Sequence, residues 1–170
     1  SFARDKRYKL IVKQSLIKKI DMILTAHHTD DLIENFFIRL LRGSGLKGLI
    51  SFSNIKSKVN LDDKIYILRP LIDVPKKDLA YISKNTFNFH VNDPSNFDEK
   101  FLRAKVRKLI SNLEKDGLTF NKFKLSLNNL SKSNYAVDFY VKKNIDDNSN
   151  YLKLNKAIIL NNDFLKQPDE

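Results

Sequence analysis

A short apolar run that leads directly into a polar, acidic helix places the strongest constraint on the fold of this chain. Met22-Ile23-Leu24 has the continuous apolar character of a buried parallel strand. Residues 27–34 then carry two His and three acidic residues, and Thr29 or His28 is placed to cap a helix that runs to about Arg42. A strand followed by such a helix predicts an open α/β sheet, in which ligands bind at the carboxyl ends of the strands.

The helix predicted over residues 29–42 has an apolar side and a polar side. Asp30 and Asp31 stand four and three residues before Glu34, so the three carboxylates share one face. The apolar positions are Leu32, Ile33, Phe36, Phe37, Leu40 and Leu41, and the polar positions are Asp30, Asp31, Glu34, Asn35, Arg39 and Arg42.

The shared carboxylate face predicts a catalytic site. We predict Asp30, Asp31 and Glu34 as catalytic residues, with Asp30 and Asp31 as Mg²⁺ ligands, because this ion takes one or two carboxylates beside substrate phosphates. Two alternatives stay open. Glu34 can bind an amine, or the two Asp can simply stabilise the helix by lying at the positive end of its dipole.

Two histidines and a glycine loop flank this helix. His27 and His28 are predicted to contact a nucleotide or to order the loop, the alternative for one of them being a buried, hydrogen-bonded histidine. Zinc is disfavoured because the sequence has only His90 besides and no Cys. Arg42, Gly43 and Gly45, at the far end, are predicted to bind phosphate, since glycine permits close approach. The alternative is an ordinary glycine cap.

The charge of the chain points to a polyanionic partner. There are 31 Lys and Arg against 20 Asp and Glu, and the resulting net charge of +11 suits nucleic acid, although a Lys-rich surface can also serve solubility alone. Arg is scarce and absent after Arg107, so each Arg is predicted to mark a site that needs a planar fork for phosphate or carboxylate. On the basic helix predicted over residues 98–113, Lys100, Arg103, Arg107 and Lys108 are predicted to contact nucleic-acid phosphates, the alternative being a solvated charged face.

The composition excludes several classes of protein. The absence of Cys removes disulfides, thiol nucleophiles, thiolate zinc and Cys-bound iron–sulfur clusters, and it fits a reducing cytoplasm. No run of about 18 apolar residues is present, so no membrane span is predicted. The first residues also lack a signal-peptide pattern.

Periodicity and turn signals predict the remaining elements, and Pro75 is expected in the first turn of its helix. They also place a domain boundary near residues 115–119 and a linker at 146–150. The predictions are a helix over 4–19, a strand over 21–26, a loop or hairpin over 51–64, a strand over 65–68, a helix from 73 to about 85, an extended piece over 87–91, a turn over 92–96, and a strand, a turn and a helix after 151.

Four blocks of the sequence resemble the tRNA(Ile)-lysidine synthetase family. The first runs from Thr25 to Leu49 and includes the His-His-Thr-Asp-Asp and Arg-Gly-Ser-Gly segments. The second is Arg69-Pro70-Leu71-Ile72-Asp73-Val74, and the third is the turn at 93–96 with the Phe and two Arg that follow it. The helix at 4–8 resembles the family's segment before the first block. Order and spacing agree over roughly residues 3–115, and the blocks are specific together.

The resemblance implies a fold and a domain organisation. The implied fold class is α/β, a Rossmann-like parallel sheet of the adenine nucleotide alpha hydrolase-like type, followed by a smaller helical region. Residues 1–116 would form a catalytic PP-loop ATPase domain that is partial, and residues 117–170 a partial helical region that binds tRNA or substrate.

The resemblance also implies a reaction. The family adenylates the C2 carbonyl of the wobble cytidine of tRNA(Ile) with ATP and Mg²⁺, and the ε-amine of lysine then displaces AMP to give lysidine. Metal and Arg would neutralise charge developing on pyrophosphate, and a carboxylate would hold or deprotonate the lysine ammonium. The expected partners are tRNA(Ile), lysine and ATP, without a membrane; homodimer formation is left open, and the expected location is the cytoplasm.

The chain departs from the family pattern in places. The family usually has Gln where this chain has Leu32, Thr where it has Asn35, and Asn where it has Ala104. The Ser-Gly-Gly-x-Asp-Ser phosphate loop is absent, so the chain is expected to be an internal fragment. Residues 1–170 alone are therefore expected to show no ATP-dependent ligation and at most weak ATP binding.

Two other functions compete with this interpretation. A tRNA thiolation enzyme of the same superfamily shares the His-Asp-Asp and Arg-Pro-Leu blocks, but its common form uses Cys pairs, which this chain lacks. A non-catalytic RNA-binding module would explain the charge and the absent loop. It would not explain why acidic residues are concentrated at a strand end.

Overall fold

The computed structural model describes residues 2–58, 65–89, 102–152 and 156–166 of the 170. The chain divides into two compact units, Ser1–Phe123 and Lys124–Glu170, and the division falls within one long helix. The elements follow one another in the order α1 (Phe2–Ile17), β1 (Met22–Leu24), α2 (Thr29–Leu40), α3 (Leu46–Ile50), β2 (Lys56–Lys58), β3 (Tyr66–Leu68), α4 (Lys76–Phe87), α5 (Leu102–Lys115), α6 (Phe120–Asn148), β4 (Ser149–Leu152) and β5 (Ala157–Leu160).

A three-stranded mixed sheet organises the first unit. Its strand order is β1-β3-β2, with β3 in the centre. β1 runs parallel to β3, with Ile23 opposite Ile67, whereas β2 pairs antiparallel to β3, with Ser57 opposite Ile67. The predicted α/β class is therefore confirmed, and the expected parallel sheet is present as one parallel pair. The predicted burial of β1 is wrong, because β1 is an edge strand of the described sheet and Met22 and Leu24 are 51% and 69% exposed. β2 and β3 also resolve the open choice of loop or hairpin near residue 57 in favour of a strand pair.

The core of the first unit includes residues of β3 and its approach, and residues of α2 and α5, which contact each other. Ile65 and Ile67 are buried beside β3, and Val106 and Ile110 are the buried residues of α5. On α2 the buried hydrophobic residues are Leu32 and Ile33. The predicted apolar side of α2 is only partly buried, because Leu40 and Leu41 at its end stay about half exposed.

Aromatic rings close the first unit at the start of α6. The Phe36 and Phe123 rings meet edge to face with centroids 5.2 Å apart, and Phe37 stacks on Phe123 at 6.5 Å. Ring pairs of this kind add about 0.5–1.5 kcal/mol beyond their buried area. The apolar side of α2 is thus anchored by aromatic contacts rather than by its last two leucines.

Two predictions for this part of the chain differ from the structure, and one helix was not predicted. Pro75 is the N-cap of α4 and not part of its first turn, because its ψ of 143° is extended. The extended piece predicted from Phe87 is wrong over the residues described, since α4 continues through Phe87 and ends where Asn88 adopts φ 53°. The short helix α3 has no sequence prediction, because five residues with a central Gly48 give too little periodicity. The predicted turn at 92–96 lies outside the described residues.

The second unit contains the rest of α6 and a β-hairpin. β4 and β5 pair antiparallel, with Asn150 opposite Ile159, and a 3₁₀ turn follows at Asn162–Lys166. The linker predicted at 146–150 is wrong, because these residues complete α6 and begin β4. Across the described parts of both units, no helix has the length and apolarity needed to cross a membrane.

Candidate active site at the start of α2

The segment between β1 and α2 is held against the strand that pairs with β1. Thr25 N donates a hydrogen bond to the Leu68 carbonyl at 2.9 Å. At the first residue of α2, Thr29 N donates to the Val74 carbonyl at 3.1 Å, and the buried Thr29 hydroxyl donates to the Ile72 carbonyl at 3.2 Å. The start of α2 therefore lies in a fixed place at the carboxyl ends of two parallel strands.

The two aspartates at this helix start accept hydrogen bonds from backbone groups. Asp31 Oδ2 accepts from the backbone N–H of the N-cap residue, His28, at 3.1 Å. Asp30 Oδ1 accepts from the backbone N–H of Lys76, the first residue of α4, at 3.0 Å. Each bond uses one carboxylate oxygen, so the second oxygen of each Asp is not committed to these bonds. Asp30 also joins the starts of two helices.

The His28 ring lies between the two aspartates. Its Nδ1 is 3.7 Å from Asp30 Oδ1, and its Nε2 is 3.4 Å from Asp31 Oδ2. The side chain is largely buried, and each ring nitrogen faces one of the two carboxylates. His28 thus lies with the acidic pair, as the sequence places it.

Glu34 and Arg107 form an ion pair that joins α2 to α5. The Glu34 side chain is only 4% exposed, and its Oε1 accepts from Arg107 Nε at 2.5 Å. Arg107 Nη2 donates to the other oxygen at 3.5 Å, which gives a two-point contact. The Nε of Arg103 lies 3.8 Å from the same carboxylate. A residue predicted as catalytic and one predicted to bind nucleic acid therefore contact each other across 73 positions of sequence.

A cavity of about 710 Å³ opens beside this ion pair. Asp30, Glu34 and Arg107 line it, together with Lys76 and Lys108. Apolar residues of α2, α5 and α6 line other parts of the wall, among them Ile33, Ile110, Phe120 and Phe123. The volume lies in the range of about 300–1,000 Å³ that ligand pockets occupy, and the cavity combines apolar walls with a few charged groups.

The predicted phosphate loop lies at the other end of α2. Arg42 and Gly43 are exposed there, and the φ of +71° at Gly43 is the left-handed conformation that ends helices on glycine. Gly45 is the N-cap of α3. About 18 Å of helix separates this turn from the aspartates. The structure thus groups Asp30, Asp31, Glu34, His28, Arg103, Arg107 and Lys108 near one helix start and leaves Arg42, Gly43 and Gly45 apart from them. The phosphate role of that turn stays a prediction, and Lys100 lies outside the described residues.

The predicted Mg²⁺ ligands are two carboxylates, and the described residues do not supply a complete set of metal ligands. Within residues 2–58, 65–89, 102–152 and 156–166, no group of three or more His, Asp or Glu is arranged to hold a metal ion. Asp30 and Asp31 still offer the two carboxylates that Mg²⁺ uses when phosphate oxygens and water complete its shell. The role of Asp30 and Asp31 as Mg²⁺ ligands stays a prediction.

Arg69 is a buried arginine to which the sequence analysis assigns no specific role. Arg69 is 8% exposed, and its Nη1 donates to the Asn54 carbonyl at 3.1 Å and to the Ser57 hydroxyl at 2.9 Å. Its guanidinium lies 4.8 Å from the centre of the Phe52 ring, whose edge-to-face partner at 5.0 Å is His27. The rarity of Arg in a Lys-rich chain is the signal that marks Arg69, whereas nothing in the sequence marks Phe52.

Replacing Arg69 by Lys should lower the free energy of unfolding by about 1–3 kcal/mol, because the buried Lys cannot reproduce the planar fork that bonds both the Asn54 carbonyl and the Ser57 hydroxyl. The matched control is Arg42→Lys on the exposed turn after α2, which we expect to change stability by less than about 0.5 kcal/mol. Urea denaturation followed by circular dichroism measures both. Equal effects of the two substitutions would contradict the structural role of Arg69.

The fold and the site together define a class. A charged site where a parallel strand leads into a helix is characteristic of α/β proteins that bind ligands at strand ends. The family model of the PP-loop domain matches residues 1–114, and the chain belongs to this family. The resemblance found in the sequence is thereby confirmed.

Curated relatives carry the name tRNA(Ile)-lysidine synthase. The protein of Orientia tsutsugamushi is 40% identical over 112 residues, which cover 65% of this chain and 24% of that protein. The protein of Bradyrhizobium diazoefficiens is 34% identical over 136 residues, 80% of this chain and 37% of that protein. The protein of Rickettsia bellii is 41% identical over 115 residues, 66% and 25% respectively. The chain thus spans about a quarter to somewhat over a third of the length of these relatives.

Proposed function

We propose that this chain takes part in ATP-dependent modification of tRNA(Ile), in which lysine is joined to C2 of the wobble cytidine through an adenylated intermediate. The observation that carries the proposal is the site at the start of α2. There Asp30 and the Glu34–Arg107 pair line one cavity in a PP-loop domain, and the His28 ring lies between Asp30 and Asp31 beside it. The names of the relatives support the substrate.

We propose that Asp30 and Asp31 bind a metal ion that neutralises negative charge on the phosphates of the substrate. The carboxylate oxygens of Asp30 and Asp31 that their backbone bonds leave uncommitted can hold Mg²⁺ beside the phosphates of ATP. The ion, when bound, neutralises charge that develops on the pyrophosphate leaving group. We include in the same proposal a Rossmann-like parallel sheet to which the β1–β3 pair belongs, and a cytoplasmic location.

Glu34 is proposed to work as half of a pair. Its charge is balanced by Arg107, so an ammonium group of lysine that approaches Glu34 meets a carboxylate already held by a guanidinium. The pair is suited to position the amine, because Arg107 fixes the Glu34 oxygens while the cavity beside them leaves room for a side chain. Deprotonation of the amine needs a less fully paired base, and Asp30 and Asp31 meet that condition better.

Phosphate contacts with tRNA are proposed for the first unit. Residues 1–123 carry 24 Lys and Arg against 14 Asp and Glu, whereas residues 124–170 carry 7 against 6. Nearly all of the positive surplus therefore lies in the unit that holds the site. The tRNA-binding role of residues 117–170 stays a prediction, and the near-neutral balance after Phe123 favours contacts other than with phosphate.

Affinity for tRNA should fall steeply with salt, because each phosphate contact releases counterions. Lys108→Gln on the cavity rim should weaken binding and lower the slope of log affinity against log salt by about 1. Lys142→Gln, on an exposed position of α6 in the second unit, is the matched control and should leave the slope unchanged. Filter binding at several salt concentrations measures both. A salt response that is flat, or equal for both variants, would contradict the proposed surface.

A chimaera tests the function itself. The matched segment of this chain replaces the corresponding segment of the Orientia tsutsugamushi relative, and the product is incubated with ATP, Mg²⁺, lysine and tRNA(Ile). We expect AMP release and lysidine, detected by mass spectrometry of the digested tRNA. A chimaera that unfolds cooperatively and binds tRNA but makes no lysidine would overturn the proposal.

A further inference from the structure

The hydroxyl of Thr25 lies between the His27 ring and a carbonyl group of the sheet. The Thr25 Oγ1 atom is 2.9 Å from His27 Nδ1 and 3.2 Å from the Leu68 carbonyl oxygen, to which it donates. The Leu68 carbonyl oxygen also accepts a hydrogen bond from Thr25 N, so both of its lone pairs are used. The three groups form a short hydrogen-bonded chain from the end of β3 to the His27 ring.

This chain has only one arrangement in which both side-chain bonds are made. A hydroxyl has a single proton, and a carbonyl can only accept, so the Thr25 proton points to Leu68. Towards His27 the hydroxyl is then an acceptor, and Nδ1 must carry the proton that it donates. We propose that Thr25 is a positioning residue that holds neutral His27 as the Nδ1-protonated tautomer, with the lone pair on Nε2.

The surroundings of His27 support a fixed ring. The edge of Phe52 meets the imidazole at 85° between planes, and Phe52 is itself buried beneath the guanidinium of Arg69. This packing opposes a ring flip that would exchange the nitrogens. The partner on one nitrogen of a histidine sets which nitrogen acts, and here that partner is built into the strand pair.

The consequence for chemistry rests on the proposed function. With its lone pair on Nε2, His27 accepts a hydrogen bond from a hydroxyl or amino group of a bound nucleotide, rather than donating to its phosphate. Where a histidine binds a metal, removing the group that orients its ring costs about 10- to 100-fold in affinity or activity, and we expect a loss of the same order here. Thr25 would therefore matter to nucleotide binding without touching the nucleotide.

Nuclear magnetic resonance can read the tautomer directly in the 170-residue chain. The sequence has three His, so His28→Gln and His90→Gln variants are enough to assign the imidazole signals. At alkaline pH, where imidazole is neutral, long-range ¹H–¹⁵N spectra distinguish the protonated nitrogen from the other. We expect His27 to be protonated on Nδ1, and Thr25→Ser, which keeps the hydroxyl, to leave it so.

Thr25→Val keeps the shape and removes the hydroxyl, so His27 should shift towards the Nε2-protonated form that prevails in water. Protonation of wild-type His27 on Nε2, or an unchanged tautomer in Thr25→Val, would overturn the proposal. In the chimaera, Thr25→Val should lower lysidine formation about 10- to 100-fold and Thr25→Ser should restore it. A shifted tautomer with unchanged lysidine formation would leave Thr25 as the tautomer-setting residue and overturn its link to the reaction.

Discussion

Replacing Arg107 by Ala should lower the free energy of unfolding by about 3 kcal/mol, because it leaves the Glu34 carboxylate buried without its main partner. Arg103→Ala is the matched control. Arg103 is on the same helix, lies 3.8 Å from the same carboxylate and is 45% exposed, so its loss should cost less than about 1 kcal/mol. Urea denaturation followed by far-ultraviolet circular dichroism measures both. Equal losses would contradict the asymmetry between the two arginines.

A double-mutant cycle measures the interaction energy between Glu34 and Arg107 apart from the other contacts of each side chain. Glu34→Gln and Arg107→Gln should each destabilise the fold, and the double variant should be more stable than the sum predicts by about 2 kcal/mol. A coupling near zero would mean that the two side chains contribute independently despite their contact.

Asp31→Asn in the chimaera should lower lysidine formation by about 100-fold or more, because it removes a charge from the site while keeping the side chain's shape. The fold should be retained, since an Asn oxygen can still accept from His28 N. The rate of AMP release and the yield of lysidine measure the effect, and the melting temperature checks the fold.

Asp21→Asn is the control for that substitution. Asp21 is an exposed carboxylate just before β1, at the opposite end of the same strand, and its replacement should leave the rate unchanged. If Asp31→Asn and Asp21→Asn gave the same near-normal rate, the assignment of Asp31 to the catalytic machinery would be contradicted.

The strand-to-helix unit was predictable because its signals are local. The run Met22-Ile23-Leu24 and the cap at His28 are read within a few residues, and β1 and α2 follow from them. The acidic face of α2 was predicted for the same reason. The burial of Glu34 was not predictable. Its partner, Arg107, lies 73 residues further along the chain, and helical spacing does not indicate which distant residue packs against a face.

Other parts of the site depended on contacts between distant segments. The bond from Lys76 N to Asp30 joins the start of α4 to α2, and the contact of Arg69 with Phe52 joins the residue after β3 to a residue before β2. The rarity of Arg in a Lys-rich chain drew attention to Arg69 and Arg107 and left phosphate and carboxylate both open as partners, and the basic helix then led to the prediction of phosphate for Arg107. For Arg107 the structure shows a carboxylate, the other partner that a planar guanidinium fits.

The hydrogen bond between Asp30 and the first N–H of α4 couples the Asp30 carboxylate to the position of that helix. A cation that draws on the Asp30 carboxylate weakens its hold on that amide, and by thermodynamic reciprocity a shift of α4 alters the carboxylate's affinity for the cation. The Lys76 amide should therefore report whether a cation is bound at Asp30. Its rate of exchange with deuterium should report events at the start of α2 from a position 46 residues away in the chain.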